Sequence, residues 1–225
     1  MDKVDSEALR ISSYFLELTP SELEWVRRNT ELLRKEKGAV VLVEGAESPG
    51  LLIVLSGSVK VCRVSPSGRE QILRLANAGD SLNDVPVFDG GTCPATVITV
   101  ESSEILIVPA PVFRELLFRH STVAVQLLQT FAKRLRQVTK LATDLTLMDV
   151  QGRVATALDV YTRVARSDEF PLNQSELASI VGARREVVAR SLKELEDGGA
   201  ITRDHGHVIV SNRETLRTFQ QNSAD

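Results

Sequence analysis

The sequence predicts an α+β chain: a small antiparallel barrel or sandwich, then a long helix, then a compact helical unit closed by a hairpin. Three observations carry this. Short Val/Ile/Leu-rich runs broken by turn residues fill positions 39–108. An apolar heptad runs from Ala124 to Leu145. Two short amphipathic segments flank Gly182 and lead into a strand–turn–strand near the C-terminus.

Taken in order, residues 5–35 read as short helices. In "TPSELEWV", Thr19 is an N-cap, Pro20 takes the first helical position and Glu22 stands three residues after the cap. From Ala39 to Val108 the segments "AVVLV", "LLIVLSGSVKVCRV", "EQILRLA", "ATVITV" and "EILIVP" are strand-like. Gly57, Gly68 and Gly79 punctuate them at intervals of eleven residues. At Pro111 the pattern turns helical. Ala124, Leu128, Phe131, Leu135, Val138, Ala142 and Leu145 alternate spacings of four and three, with Lys133, Arg134, Arg136 and Lys140 on the flanks. Such a narrow stripe suits a second helix lying along it, so Leu128, Phe131, Leu135, Val138, Ala142 and Leu145 are the expected homodimer interface. A long helix lying on its own barrel is the alternative. Asp149 and Gly152 then mark a hinge, followed by a helix near 152–166, the polar loop "RSDEFP", two short helices, and strands around Asp204–Gly206. The expected division is 1–119, 120–148 and 149–225.

Composition excludes several classes. With 43% hydrophobic and 25% charged residues, the 225-residue chain is ordinary for a globular protein. No apolar run reaches membrane-span length and "MDKVDSEALR" is too polar for a signal peptide, so a cytoplasmic chain with no membrane partner is expected. Cys62 and Cys93 are the only cysteines, and His120, His205 and His207 the only histidines. They are too few for a disulfide framework, a zinc site or a four-thiolate iron–sulfur cluster. A metal enzyme on a barrel needs histidine and carboxylate ligands inside it, and positions 39–108 hold no histidine. No Gly-rich phosphate loop or nucleophile elbow is present. No catalytic residue and no metal site are expected.

The formal net charge of −3 argues against a nucleic-acid partner, and residues 150–225 hold 10 Lys/Arg against 11 Asp/Glu. The local pattern argues the other way. "NQSELASIVGARREVVARSLKEL" has the layout of a helix-turn-helix: Asn173 caps the first helix, Glu176 completes a capping box, and Gly182 makes the turn. Stepping about 100° per residue, Arg185, Glu186, Ala189, Arg190 and Lys193 share one face of the second helix, and Val187, Val188, Ser191, Leu192 and Leu195 the other. Arginine can bond both acceptors of a guanine edge and glutamate can accept from cytosine, so Arg185, Glu186 and Arg190 are the candidate base readers. Arg184, Lys193 and the turn carrying His205 and His207 are the candidate contacts to the DNA backbone, with Asn173 at the start of the first helix. A merely solvated charged face is the alternative.

At these residues the chain resembles the cyclic-AMP receptor protein/FNR superfamily of bacterial transcription regulators. "EGAESPGLLIVLSGSVKVCRV", "GREQILRLANAGD" and "VGARREVVARSLKELEDGGAI" carry the resemblance, which spans about Phe15 to Leu216. It implies a cyclic-nucleotide-binding-type β-roll, a dimerisation helix and a winged helix-turn-helix whose orientation an effector controls. It also implies that Arg185, Glu186 and Arg190 read a palindrome similar to TGTGA-N6-TCACA, that Gln174, His205 and His207 meet phosphates, and that an activator would contact RNA polymerase, for which the 166–171 loop is a candidate. The effector site departs from the pattern. The Gly-Glu and Arg-Ser pairs that hold a cyclic nucleotide become Asn83-Asp84 and Cys93-Pro94, and the Thr-Ser pair that meets adenine becomes Val138-Thr139. No lysine or arginine lies between Leu75 and Arg114, so a buried phosphodiester would lack its cation. Cyclic AMP is therefore not the expected effector, and an iron–sulfur cluster is excluded by the cysteine count. Haem, another small molecule or no ligand at all stay open, as do a thiol-sensing role for Cys62 or Cys93 and the choice between activation and repression. The rival functions are a sensor module acting through protein contacts and a barrel enzyme.

Overall fold

The computed structural model describes residues 5–165, 167–204 and 207–221. The chain divides into two units, one reaching to Lys133 and the other starting at Arg134.

The first unit opens with 3-10 helices at Ser6–Ile11 and Ser13–Phe15, then α1 at Pro20–Arg28. The Thr19–Glu22 capping box forms as the sequence predicts: Thr19 Oγ1 accepts the Glu22 amide and the Glu22 carboxylate accepts the Thr19 amide. Eight strands follow among the described residues: β1 Glu31–Lys35, β2 Val40–Leu42, β3 Leu51–Ser56, β4 Ser58–Val64, β5 Glu70–Asn77, β6 Ser81–Leu82, β7 Thr96–Thr99 and β8 Ser103–Val108. They make two four-stranded antiparallel sheets, in the orders β1-β8-β3-β6 and β2-β7-β4-β5. The short helix α2, Val85–Asp89, interrupts them between β6 and β7.

Strand β3 shows how the roll is held. Side chains of a strand alternate between its faces, and both faces of β3 are covered, so Leu51 to Leu55 are all buried. Leu52 and Val54 point into the roll, where they meet Val59, Ala76, Leu82, Cys93, Val97 and Ile105. Leu51, Ile53 and Leu55 join the opposite cluster with Leu9, Phe15, Leu23, Phe113, Leu116 and Leu127 from the helices. The chain passes from β3 in one sheet to β4 in the other at Gly57, whose φ is +78° and where a Cβ would come within 2.5 Å of the Ser102 carbonyl.

One sequence expectation fails here. Residues 31–35, read as the tail of a helix, form strand β1. "ELLRK" has good helix formers, but pairing with β8 sets Leu32 opposite Leu106 and Leu33 opposite Ile105, and tertiary context overrides propensity.

Helices α3, Ala110–Arg119, and α4, Ser121–Leu147, follow; α4 spans the division between the units. The second unit contains α5 Val150–Ala165, α6 Gln174–Val181, α7 Arg185–Asp197, strands β9 Ile201–Asp204 and β10 His207–Val210, and α8 Arg213–Gln221. Asn173 caps α6, with Glu176 completing the box, and Gly182 ends α6 in the left-handed region at φ +66°. The segment around Glu169, expected as a loop, lies alongside β10: Phe170 donates to Val208, Val210 donates to Asp168, and Glu169 bridges Ile209. The two-stranded β9–β10 hairpin is thereby flanked by a single β-bridge at Glu169. The core of this unit comprises Val154, Leu158, Phe170, Leu177, Val188, Leu192, Leu195, Ile201, Val210 and Leu216.

Candidate nucleic-acid interface and effector pocket

Helix α7 segregates its faces. Val188, Ser191, Leu192 and Leu195 are buried, whereas Arg185, Glu186, Arg190 and Lys193 are exposed and Ala189 is intermediate. Among the described residues, no ion pair or hydrogen bond engages the side chains of Arg185, Glu186, Arg190 or Lys193. A guanidinium that has no intramolecular carboxylate keeps all of its donors available. Arg184 is the N-cap residue of α7 and is exposed, with no side-chain capping bond. The amphipathic face of α7 thus ends at two arginines and a glutamate on adjacent turns, held out by an apolar face that cannot rotate away.

The remaining backbone-contact candidates fall in different settings. The Asn173 side-chain oxygen accepts the Glu176 amide at 3.0 Å as the cap of α6, and Gln174 is the first, half-buried residue of that helix. His207 begins β10 on the wing, is mostly exposed, and its Nδ1 lies 2.6 Å from Glu169 Oε1. His205 lies outside the described residues. Of the 166–171 loop, Arg166 is also outside them, and 168–170 runs beside the wing. Sequence reasoning missed the ties that steady this surface. Arg203 on β9 ion-pairs with Glu196 near the end of α7 and holds that carboxylate below its ordinary range. Arg213, at the start of α8, reaches Asp159 on α5 at 3.2 Å and Asp168 beside the wing at 2.7 Å. The partners of Arg213 lie 45 and 54 residues away, too far for spacing to reveal them.

Two of the effector candidates, Asn83 and Cys93, hydrogen-bond to the loop 45–50. Asn83 has a left-handed φ of +59° and donates from Nδ2 to Ser48 Oγ at 2.7 Å and to the Gly50 carbonyl at 2.8 Å. Its Oδ1 is buried, with no hydrogen-bond partner among the described residues. Asp84 is 3% exposed. Cys93 exchanges backbone bonds with Gly45 and Ala46 and packs into the roll's apolar cluster. Pro94 is exposed. Arg114, the first cation after Arg74, donates to the Val87 carbonyl at 2.7 Å and so ties α3 to α2. Val138 and Thr139 belong to the second unit; both are exposed, and the Thr139 hydroxyl donates to the Leu135 carbonyl of its own helix.

Both thiols are poorly placed to react. Burial, with Glu70 adding to it, pushes the Cys62 thiol up to about 11, and burial also raises that of Cys93. A thiol is nucleophilic as thiolate, and desolvation opposes that form. Among the described residues, no group of three or more His, Cys, Asp or Glu could hold a metal ion, and no helix is long and apolar enough to cross a membrane.

Comparison with known proteins accounts for both units. Residues 32–120 match the cyclic nucleotide-binding domain and residues 152–219 the Crp-like helix-turn-helix domain. The CRP-like cAMP-activated global transcriptional regulator of Mycobacterium tuberculosis is 28% identical over 217 residues, which cover 93% of this chain and 97% of the relative. The structure of a Crp/Fnr-family transcriptional regulator from Eubacterium rectale superposes with a TM-score of 0.75 at 21% identity, covering 94% of this chain and 99% of that one. The c-di-GMP responsive global regulator CLP of Xanthomonas campestris has a TM-score of 0.75 at 22% identity, covering 86% of this chain and all of the other. A roll of cyclic-nucleotide-binding type, a long helix and a Crp-like helix-turn-helix with an outward arginine-rich face make the chain a DNA-binding regulator, and it belongs to the cyclic-AMP receptor protein/FNR superfamily.

Proposed function

We propose that the chain is a homodimeric, sequence-specific transcription regulator of the cytoplasm that reads a palindrome similar to TGTGA-N6-TCACA. In this reading residues 1–119 sense, 120–148 dimerise and 149–225 bind DNA. The observation that carries it is the unpaired, outward set Arg185, Glu186 and Arg190 on a helix anchored by Val188, Leu192 and Leu195. Arg185 and Arg190 suit guanine edges and Glu186 a cytosine amino group. Lys193, Arg184 and His207 would meet phosphates, and Asn173 and Gln174 would offer backbone or side-chain amides at the start of α6. RNA polymerase is the further partner if the protein activates.

The roll is read as not taking cyclic AMP, although the mycobacterial relative is cAMP-activated. A buried phosphodiester needs cations or donors. The position of the phosphate-binding arginine holds the buried thiol of Cys93, and Asn83 presents a buried acceptor oxygen where a phosphate would need a donor. An effector of other chemistry or none fits these residues better.

Fluorescence anisotropy with the palindromic duplex across a salt series tests the DNA reading. Affinity should fall steeply with salt as condensed counterions are recaptured and should exceed that for a scrambled duplex. A flat salt response would favour a module acting through protein contacts. Calorimetric titration with cyclic AMP and cyclic GMP tests the second reading. Micromolar binding that tightens the operator complex would overturn it.

A further inference from the structure

Arg153 sits in the first turn of α5, just after the long helix ends. Its guanidinium reaches two backbone carbonyls at once: Nη1 donates to Met148 at 2.7 Å and Nε to Val181 at 3.0 Å. Met148 is the residue after α4, and its own amide still donates to Asp144. Val181 is the last residue of α6, directly before Gly182 turns the chain toward α7. The final carbonyls of a helix have no partner within it and form the negative end of its dipole. One cation therefore serves two helix ends. Among the described residues no carboxylate pairs with Arg153, so these carbonyls are its principal electrostatic partners. Only a planar fork donates in two fixed directions; a lysine ammonium would concentrate its charge on one carbonyl.

The neighbours of Arg153 add to the connection. Asp149 Oδ1 accepts the Gly152 amide at 2.8 Å and starts α5, and Gln151 Nε2 donates to Glu194 Oε2 on α7 at 2.9 Å. The turn at Gly182 is itself closed by the Ala183 amide on the Ala178 carbonyl. Within this unit the end of α4 is thus tied through one side chain to the end of α6, and through the Gly182 turn to the reading helix.

We propose that Arg153 is a positioning residue for DNA recognition: it fixes the direction in which α6 and α7 leave the end of α4, and so fixes the separation of the two reading helices in a dimer. The inference rests on the dimeric, palindrome-reading function proposed above. Arg153 is not on the exposed face of α7, so its loss leaves the chemistry of each half-site intact. What it removes is the constraint on where the second half-site must lie.

The full chain carrying Arg153→Gln or Arg153→Lys tests this by anisotropy on four duplexes: a single half-site, the palindrome, and palindromes with the spacer one base pair shorter or longer. The wild type should prefer the parent spacer. Arg153→Gln should lower that preference by about three- to tenfold, a small fraction of what two charge-assisted hydrogen bonds can contribute, with half-site affinity unchanged. Arg153→Lys should fall between the two. A merely stabilising role would weaken all four duplexes alike and leave the spacer preference standing, which would overturn the proposal. Thermal melting establishes that each variant is folded at the assay temperature. If Arg153→Gln is not, Arg153→Lys decides, and unfolding of both would mark Arg153 as a stability residue and overturn the proposal. A wild-type chain indifferent to both sequence and spacer would instead sink the DNA reading, and this inference with it.

Discussion

Arg185 and Lys193 share an exposed face, yet their chemistry separates them. A guanidinium fork can match two acceptors of one base, whereas an ammonium is a point charge suited to a phosphate. Arg185→Ala should therefore cost about 1–3 kcal/mol of discrimination at one base pair per half-site. Lys193→Ala should weaken every sequence alike and reduce the salt slope by about one. Competition titrations against single-base variants of the operator distinguish the two, and equal, sequence-independent losses would refute the assignment. The cysteines give a second prediction at this scale. With Cys62 at 0% and Cys93 at 1% exposure and both thiols raised by burial, neither should react with an aromatic disulfide reagent near neutral pH until the chain is denatured. Prompt modification of Cys93 in the folded protein would return it to candidacy as a redox sensor.

Helix starts are the elements most legible in the sequence, because a capping box joins residues only three positions apart. Thr19–Glu22 and Asn173–Glu176 both form as expected. Hydrogen bonds from the Thr19 hydroxyl and amide, then the nearby His120 and Arg119, hold the Glu22 carboxyl below its ordinary value of 4.5. A depressed carboxyl stabilises the fold fully above its unfolded value, and this contribution is lost as pH falls through the lower folded value. Thr19→Ala should cost about 1 kcal/mol near neutrality, and the deficit should shrink once pH drops below 4.5, as denaturant melts at several pH values would show. An unchanging deficit would mean that the Glu22 carboxylate contributes nothing to it, the cap acting through the Glu22 amide alone. Strand β1 was illegible for the opposite reason: nothing local in "ELLRK" records that β8, some seventy residues onward, pairs with it. Segment 168–170 likewise forms its hydrogen bonds and its single β-bridge only because β10 lies beside it.

At the scale of the whole molecule, α4 carries an apolar stripe of which Phe131 packs edge-on against Phe88 of α2, while others stay exposed among the described residues. Leu128 is 65% exposed, Leu135 69%, Val138 63% and Leu145 43%. A heptad left in water is costly, and the proposed second copy would cover it. Leu135→Glu should convert the protein to a monomer in sedimentation experiments and weaken palindrome binding far more than half-site binding; a variant that stays dimeric would place the interface elsewhere. The sequence by itself determined what depends on near neighbours and on periodicity: the strand-rich roll, the heptad, the caps, the Gly182 turn, and the two-faced recognition helix with Arg185, Glu186 and Arg190 outward. Tertiary structure alone decided what depends on distant partners. It buried Cys93 in the apolar cluster of the roll, set Asn83 against Ser48 and Gly50, laid Glu169 beside β10, and joined two helix ends through Arg153. The division follows from physics, since hydrophobic period and capping are properties of consecutive residues, whereas a hydrogen bond from Arg153 to Val181 exists only once the intervening chain has folded back.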